Sequence, residues 1–353
     1  MRPTSSGFVL FPTLQKTCKN ISWWHSKYEE QCISMFKKSL AIFIFLACSI
    51  CVLADDQNAN TTTTPAPIPA TTASPFGTQI RKTVVFIEAI CQDINTTVKV
   101  RGTGFFVGVP AEKIGKDKMF NYLVTNRHVA ECWDESRKVR PIVSMAAKLN
   151  LKTGSVFAGI IDIKQWVLPK DASVDLAIVP VILNENLDFL TIPISLFATK
   201  DVVSAKNVAE GARIAFSGFF YQFPGQQKIQ PIVREGILAM MPDEPMQTLT
   251  GHDGKVYLGD VHIFNGNSGS PVFVNVAQFG EEYRLLGVVS GMFYEDQDFN
   301  LQIVSTVTGT QHGNSGIAII VPVDQVKELL DEPTLVVQRE KAVAEALAAA
   351  ATH

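Results

Sequence analysis

The chain has 353 residues, of which 46% are hydrophobic and 18% charged, and its formal net charge is −3. So small a charge, with no basic stripe, excludes an electrostatic nucleic-acid footprint, while the apolar share is enough for a substantial core. No Cys or His pair has metal-ligand spacing, so neither a metal nor any other cofactor is expected.

In chain order, residues 1–34 form a doubtful leader, because Met35-Phe36-Lys37-Lys38 is itself an ordinary start for an export signal. Leu40 to Ala54 is a 15-residue apolar stretch between that basic pair and Asp55-Asp56. A bilayer span needs about 20 apolar residues. The short core, the basic flank and the Val52-Leu53-Ala54 ending therefore predict a signal peptide over 35–54, cleaved after Ala54, and a secreted or periplasmic product. The alternative is an uncleaved signal anchor that tethers the protein to a membrane. Residues 55–77 hold Thr61-Thr62-Thr63-Thr64-Pro65-Ala66-Pro67 and little to bury, which predicts a linker. Asn60-Thr61-Thr62 and Asn95-Thr96-Thr97 both fit the N-glycosylation pattern.

From Thr83 onward the chain is written in short β-rich runs separated by turn residues: Thr83 to Ile90, Gly104 to Val109, Tyr122 to Thr125, Leu176 to Leu183 and Arg213 to Phe220. That spacing predicts an all-β sandwich or barrel. Three segments carry chemistry. Leu123-Val124-Thr125-Asn126-Arg127-His128 ends an apolar strand and delivers a histidine at a turn. Val174-Asp175-Leu176-Ala177-Ile178 puts one carboxylate at the mouth of an apolar strand, where it is costly to bury without a partner. Gly266-Asn267-Ser268-Gly269-Ser270-Pro271 flanks a serine with small residues, so that the N–H groups of Gly266 and Ser268 can face a developing oxyanion. Gly266, Asn267 and Ser268 are the expected oxyanion-hole segment.

The order His128, Asp175, Ser268 resembles the trypsin-like serine protease superfamily. The closer likeness is to its HtrA (Deg) branch and the related bacterial trypsin-like peptidase domains. It is carried by Gly102-Thr103-Gly104-Phe105-Phe106-Val107, by Leu286-Gly287-Val288-Val289-Ser290-Gly291, by Gly316-Ile317-Ala318-Ile319-Ile320-Val321-Pro322 and by the helical Val323 to Leu330. The resemblance spans residues 78–331 and implies a double six-stranded β-barrel of the chymotrypsin type with a short C-terminal helix. It also implies an endopeptidase acting on polypeptides. Ser268 would be the nucleophile and His128 the general base, with Asp175 holding the histidine; Asp171 is the substitute carboxylate.

The likeness breaks in places. Asn267 stands where digestive relatives carry an Asp, and no activation-cleavage junction precedes the domain. Residues 332–353 are Ala- and Glu-rich, predicting a frayed helix or a disordered tail and leaving no room for PDZ-mediated regulation. By resemblance, the specificity pocket would have His262 at its base and Ser290, Gly291 and Met292 in its walls, with Asn314 to Gly316 opposite. With no Asp at the base, a small or medium apolar side chain is the expected substrate residue. Ser315, in a second Gly-Asn-Ser-Gly, reads as a turn at the pocket edge.

Four of the six cysteines (Cys18, Cys32, Cys48, Cys51) fall before residue 55, leaving Cys91 and Cys132. An exported protein with one remaining pair often bridges it, and a bridge would tie the histidine loop to the first barrel. Two separate buried thiols are the alternative. The competing functional classes are a non-catalytic protease-fold module that binds peptides or proteins and, with weaker support, an esterase.

Overall fold

The first strand, β1 (Val84–Gln92), is apolar at nearly every position, so both of its faces need cover. Successive side chains in a strand point to opposite faces. Val84 and Phe86 accordingly enter one core, while Val85, Ile87, Ala89 and Cys91 enter another. The same division recurs on β2 (Thr97–Pro110), with Phe105 and Val107 on one side and Phe106 on the other. On β3 (Met119–Thr125) it separates Val124 from Leu123. The computed structural model describes residues 74–302 and 306–351, all within a compact unit spanning Thr72–His353. The leader (1–34), the expected signal peptide (35–54), the linker up to residue 73, Asn60 and the four early cysteines lie outside the described residues.

The first half is completed by β4 (Ile142–Asn150), β5 (Val156–Ile160), β6 (Ala177–Val181) and the short β7 (Ile192–Pro193). Strand order is β5-β4-β1-β2-β3-β6, with β7 beside β2. Met145 and Leu149 of β4 share a core with Val179 of β6, although these strands lie towards opposite ends of that order. The sheet therefore curls around one interior. Asn95-Thr96-Thr97 stands exposed at the β1–β2 connection.

The second half contains β8 (Arg213–Gly218), β9 (Ile232–Met240), β12 (Tyr257–Asp260), β13 (Pro271–Asn275), β14 (Tyr283–Gln302) and β15 (Thr306–Pro322), which close into a six-strand barrel in the order β12-β15-β14-β13-β8-β9. A small hairpin, β10 (Met246–Gln247) with β11 (Asp253–Gly254), leaves it between β9 and β12. Ile214, Phe216, Val272, Val274, Leu286 and Ile320 fill this barrel. Their strand neighbours Phe273, Leu285, Val288 and Val321 point outward and meet Phe86, Phe105 and Val124 of the first half. The fold is thus all-β: two curled walls, each around its own core, joined by a third core between them.

The helix over Val323 to Leu330 forms as the sequence predicts, with Val326, Leu329 and Leu330 in the shared core. Of the two expectations for the tail, the helix is the one that forms. Residues Pro333–Ala351 are a 19-residue helix, which alanine favours. Its first turns are docked: Leu335 is buried, and Arg339 donates to the Tyr122 hydroxyl at 3.0 Å and to the Leu330 carbonyl at 2.9 Å. Ser315 lies within β15 rather than in a turn, and its hydroxyl donates to the Phe293 carbonyl at 2.8 Å across a register shift.

Candidate active site

Thr125 ends β3, Asn126 stays extended, and a single helical turn, Arg127–Ala130, carries His128. Val129 and Ala130 anchor that turn in the interior. A disulfide between Cys91 of β1 and Cys132 ties its far end to the sheet. Cys132 adopts a left-handed backbone, φ 58°, which is uncommon for a residue with a side chain.

Asp175 sits just before β6 and is 1% exposed. The carboxylate is fully occupied. Its Oδ2 accepts from His128 Nδ1 at 2.8 Å and from the Ser290 hydroxyl at 2.6 Å, and its Oδ1 accepts from the His128 backbone N–H at 3.1 Å. Asn126 Nδ2 donates to the Asp175 carbonyl at 2.9 Å. Burial alone would push this carboxyl up. The His128 charge, the histidine and Ser290 hydrogen bonds and the backbone N–H together outweigh burial and hold it below the ordinary carboxylate value of 3.8. Asp171 faces elsewhere. It caps the Ser173 N–H at 2.8 Å, and that bond is the main cause of its own lowered pKa.

Ser268 occupies the turn between Gly266 and Gly269, both of which have positive φ, at 98° and 87°. A side chain at Gly269 would also collide with the Thr103 carbonyl, so the turn requires glycine on steric grounds as well. The Ser268 hydroxyl donates to the Ser290 carbonyl at 3.2 Å. Transfer of its proton to His128 requires it to turn away from that carbonyl, and such contacts are often loose before substrate binds. Among the described residues, the N–H groups of Gly266 and Ser268 have no internal acceptor. The Asn267 N–H does have one, the Phe264 carbonyl at 2.9 Å. Of the three expected oxyanion-hole residues, Gly266 and Ser268 are therefore available as donors, whereas Asn267 is structural. Its amide accepts from the Phe264 N–H at 2.8 Å and donates to the Phe219 carbonyl at 2.9 Å.

The sequence matches the model of the trypsin-like peptidase domain over residues 102–279, half of the chain and a span that includes His128, Asp175 and Ser268. The chain belongs to the trypsin-like peptidase domain family. A comparison with curated protein sequences finds no match. Among solved structures, the protein is similar to Deg5, with 17% identity over 71% of this chain and 88% of Deg5 and a TM-score of 0.41. It is also similar to the HtrA-type protease AlgW with decapeptide, with 15% identity and a TM-score of 0.40. In that pairing 72% of this chain spans 64% of AlgW.

In this trypsin-like peptidase domain the residues expected to line a specificity pocket fall into two adjoining groups. Asn314 Nδ2 donates to the Ile263 carbonyl at 2.8 Å, and a β-carbon on Gly316 would stand 3.3 Å from His262 Cε1. His262 itself is exposed. Ser290, Gly291 and Met292 form the β14 edge; a side chain at Gly291 would collide with Leu249 of the β10–β11 hairpin, and Met292 packs against the second barrel's core. That hairpin also reaches the Asp175 loop, where the Thr248 hydroxyl lies 3.2 Å from the Ser173 carbonyl.

Two roles were not read from the sequence. Ser290 was expected only as a pocket wall, yet its hydroxyl holds Asp175 and its carbonyl holds Ser268. Thr103 was not singled out at all. Fully buried, it donates its N–H to the Ser268 carbonyl at 2.8 Å and its hydroxyl to the Gly266 carbonyl at 2.7 Å. The available signal was a hydroxyl between two glycines inside an apolar strand, since buried polar groups need partners.

Proposed function

We infer that the protein is an exported serine endopeptidase whose protease domain covers residues 78–331. The observation that carries this reading is the buried Asp175 carboxylate, bound at once to the ring and the backbone of His128. Asp175 fixes the histidine tautomer that leaves Nε2 free to accept a proton. Ser268 attacks the scissile carbonyl while His128 takes the hydroxyl proton, and the Gly266 and Ser268 N–H groups receive the oxyanion. His128 then gives the proton to the leaving amine. Water hydrolyses the acyl-enzyme by the same route in reverse.

The substrates proposed are polypeptides whose acyl segment lies along Ser290 to Met292, with a small or medium apolar side chain entering beside His262. The reading calls for no cofactor, metal or nucleic acid. Export is supported by the basic-flanked apolar segment ending at Ala54, with membrane tethering by an uncleaved anchor as its alternative. The Ser268 hydroxyl turned toward Ser290 favours a second reading, a non-catalytic binding module. A fluorophosphonate probe separates the two. It should label the wild-type protein and not Ser268→Ala, and His128→Ala should lower kcat/KM by roughly three orders of magnitude or more. Peptide binding without labelling or turnover would establish the binding module instead.

A further inference from the structure

Large aromatic side chains lie in solvent beside the nucleophile. Tyr221 is 40% exposed and Phe223 54%, both on the segment after β8, and Phe264, just before the Ser268 turn, is 38% exposed. Rings of this size are ordinarily buried, and a cluster of exposed apolar groups marks an interaction surface.

Tyr221 is fixed against the turn that would receive the oxyanion. Its N–H donates to the Asn265 carbonyl at 3.3 Å, and its Cβ would stand 3.3 Å from a β-carbon on Gly266. Phe264 meets Phe220 edge-on at 5.8 Å and lies under the Arg234 guanidinium at 4.7 Å. The Arg101 guanidinium is 5.0 Å from the Tyr221 ring centre and is itself held by Glu88 at 2.9 Å. Each ring is thus covered on one face by a guanidinium and keeps part of its surface in solvent. Arg101 also fixes which flank of the nucleophile Tyr221 occupies. Two residues further along β2, the Thr103 N–H binds the Ser268 carbonyl, whereas the Ser268 hydroxyl points to β14. Tyr221 therefore borders Ser268 on the β2 side, away from the Ser290 to Met292 edge, and Phe264 reaches it through the Asn265 carbonyl that accepts the Tyr221 N–H.

A polypeptide crossing Ser268 has an acyl part and a leaving part. With the acyl part along β14, the leaving part must run past Gly266 toward Tyr221 and Phe264. We propose that these two rings form a shelf that selects a large apolar or aromatic side chain on the leaving-group side of the scissile bond. The proposal rests on the serine endopeptidase reading and adds a substrate class to it. Stacking on rings already braced by guanidinium groups is favourable for an aromatic side chain, and the shelf would lose its exposed apolar surface on binding.

The test uses the full-length protein. Cleavage of denatured casein, with the products sequenced, provides a sequence to build on. Quenched peptides are then made with a constant acyl half and with Phe, Leu, Ser or Asp in the first two leaving-side positions. The expected kcat/KM is about tenfold higher for Phe or Leu than for Ser or Asp, the scale on which apolar pockets discriminate. That ratio should fall toward one in Tyr221→Ala and in Phe264→Ala and persist in Tyr221→Phe. Equal rates across the series in wild-type protein that labels at Ser268 would overturn the shelf and leave the endopeptidase standing. So would a preference that survives both alanine variants. No labelling and no cleavage would remove the endopeptidase and the shelf with it.

Discussion

Asp175 shows how much one side chain can be asked to hold. Its carboxylate is buried and takes three hydrogen bonds, two from His128 and one from Ser290. Its pKa in the folded protein lies below the ordinary 3.8, because those partners outweigh its burial. A depressed folded pKa contributes stability above the unfolded value, and that contribution is lost as pH falls through the folded value. Thermal midpoints between pH 5 and 2 should therefore drop more steeply in the wild type than in Asp175→Asn, whose amide does not titrate. Parallel curves would show that the carboxylate is not held as these contacts require. The pairing of His128 with Asp175 was legible because an acid at the mouth of an apolar strand has few other ways to be satisfied. Ser290 was not, because a serine in a strand has no signature that distinguishes a turn, a wall and a carboxylate partner.

At the scale of elements, the site depends on segments that hold the His128 turn and the Ser268 turn in place. The Cys91–Cys132 bridge closes a separation of 41 residues, which by chain entropy contributes about 4 kcal/mol. Cys91→Ala/Cys132→Ala should accordingly unfold at a lower denaturant midpoint, and reductant should lower the wild-type midpoint without moving that of the variant. Equal midpoints would mean that packing alone holds the histidine turn. The bridge was expected from the two cysteines left after the export segment. The left-handed Cys132 was not, since backbone handedness at a non-glycine residue leaves no trace in composition.

Across the whole molecule, the two halves share a core to which Phe86, Phe105, Val124, Phe273, Leu285 and Val288 all contribute. The C-terminal helices seal it, with Leu335 fully buried. Leu335→Ala should cost about 2–5 kcal/mol, the range for a buried leucine. Because that core belongs to both halves, the loss should appear in one cooperative transition monitored by both far-ultraviolet dichroism and tryptophan fluorescence. A separate early transition would show that the tail helix is a detachable appendage.

Strand rhythm, the order of His128, Asp175 and Ser268, and the helix over Val323 to Leu330 were all decided within a few residues of chain. Local alternation and turn chemistry write such features directly into sequence. Asn267's role as a brace, Thr103's grip on the Ser268 turn, Leu249 over Gly291 and the docking of the tail depended on segments tens to hundreds of residues apart meeting in space. Only the tertiary structure decided these, because a hydrogen bond or a collision is set by position in three dimensions, and the residue types involved are common ones with many other uses.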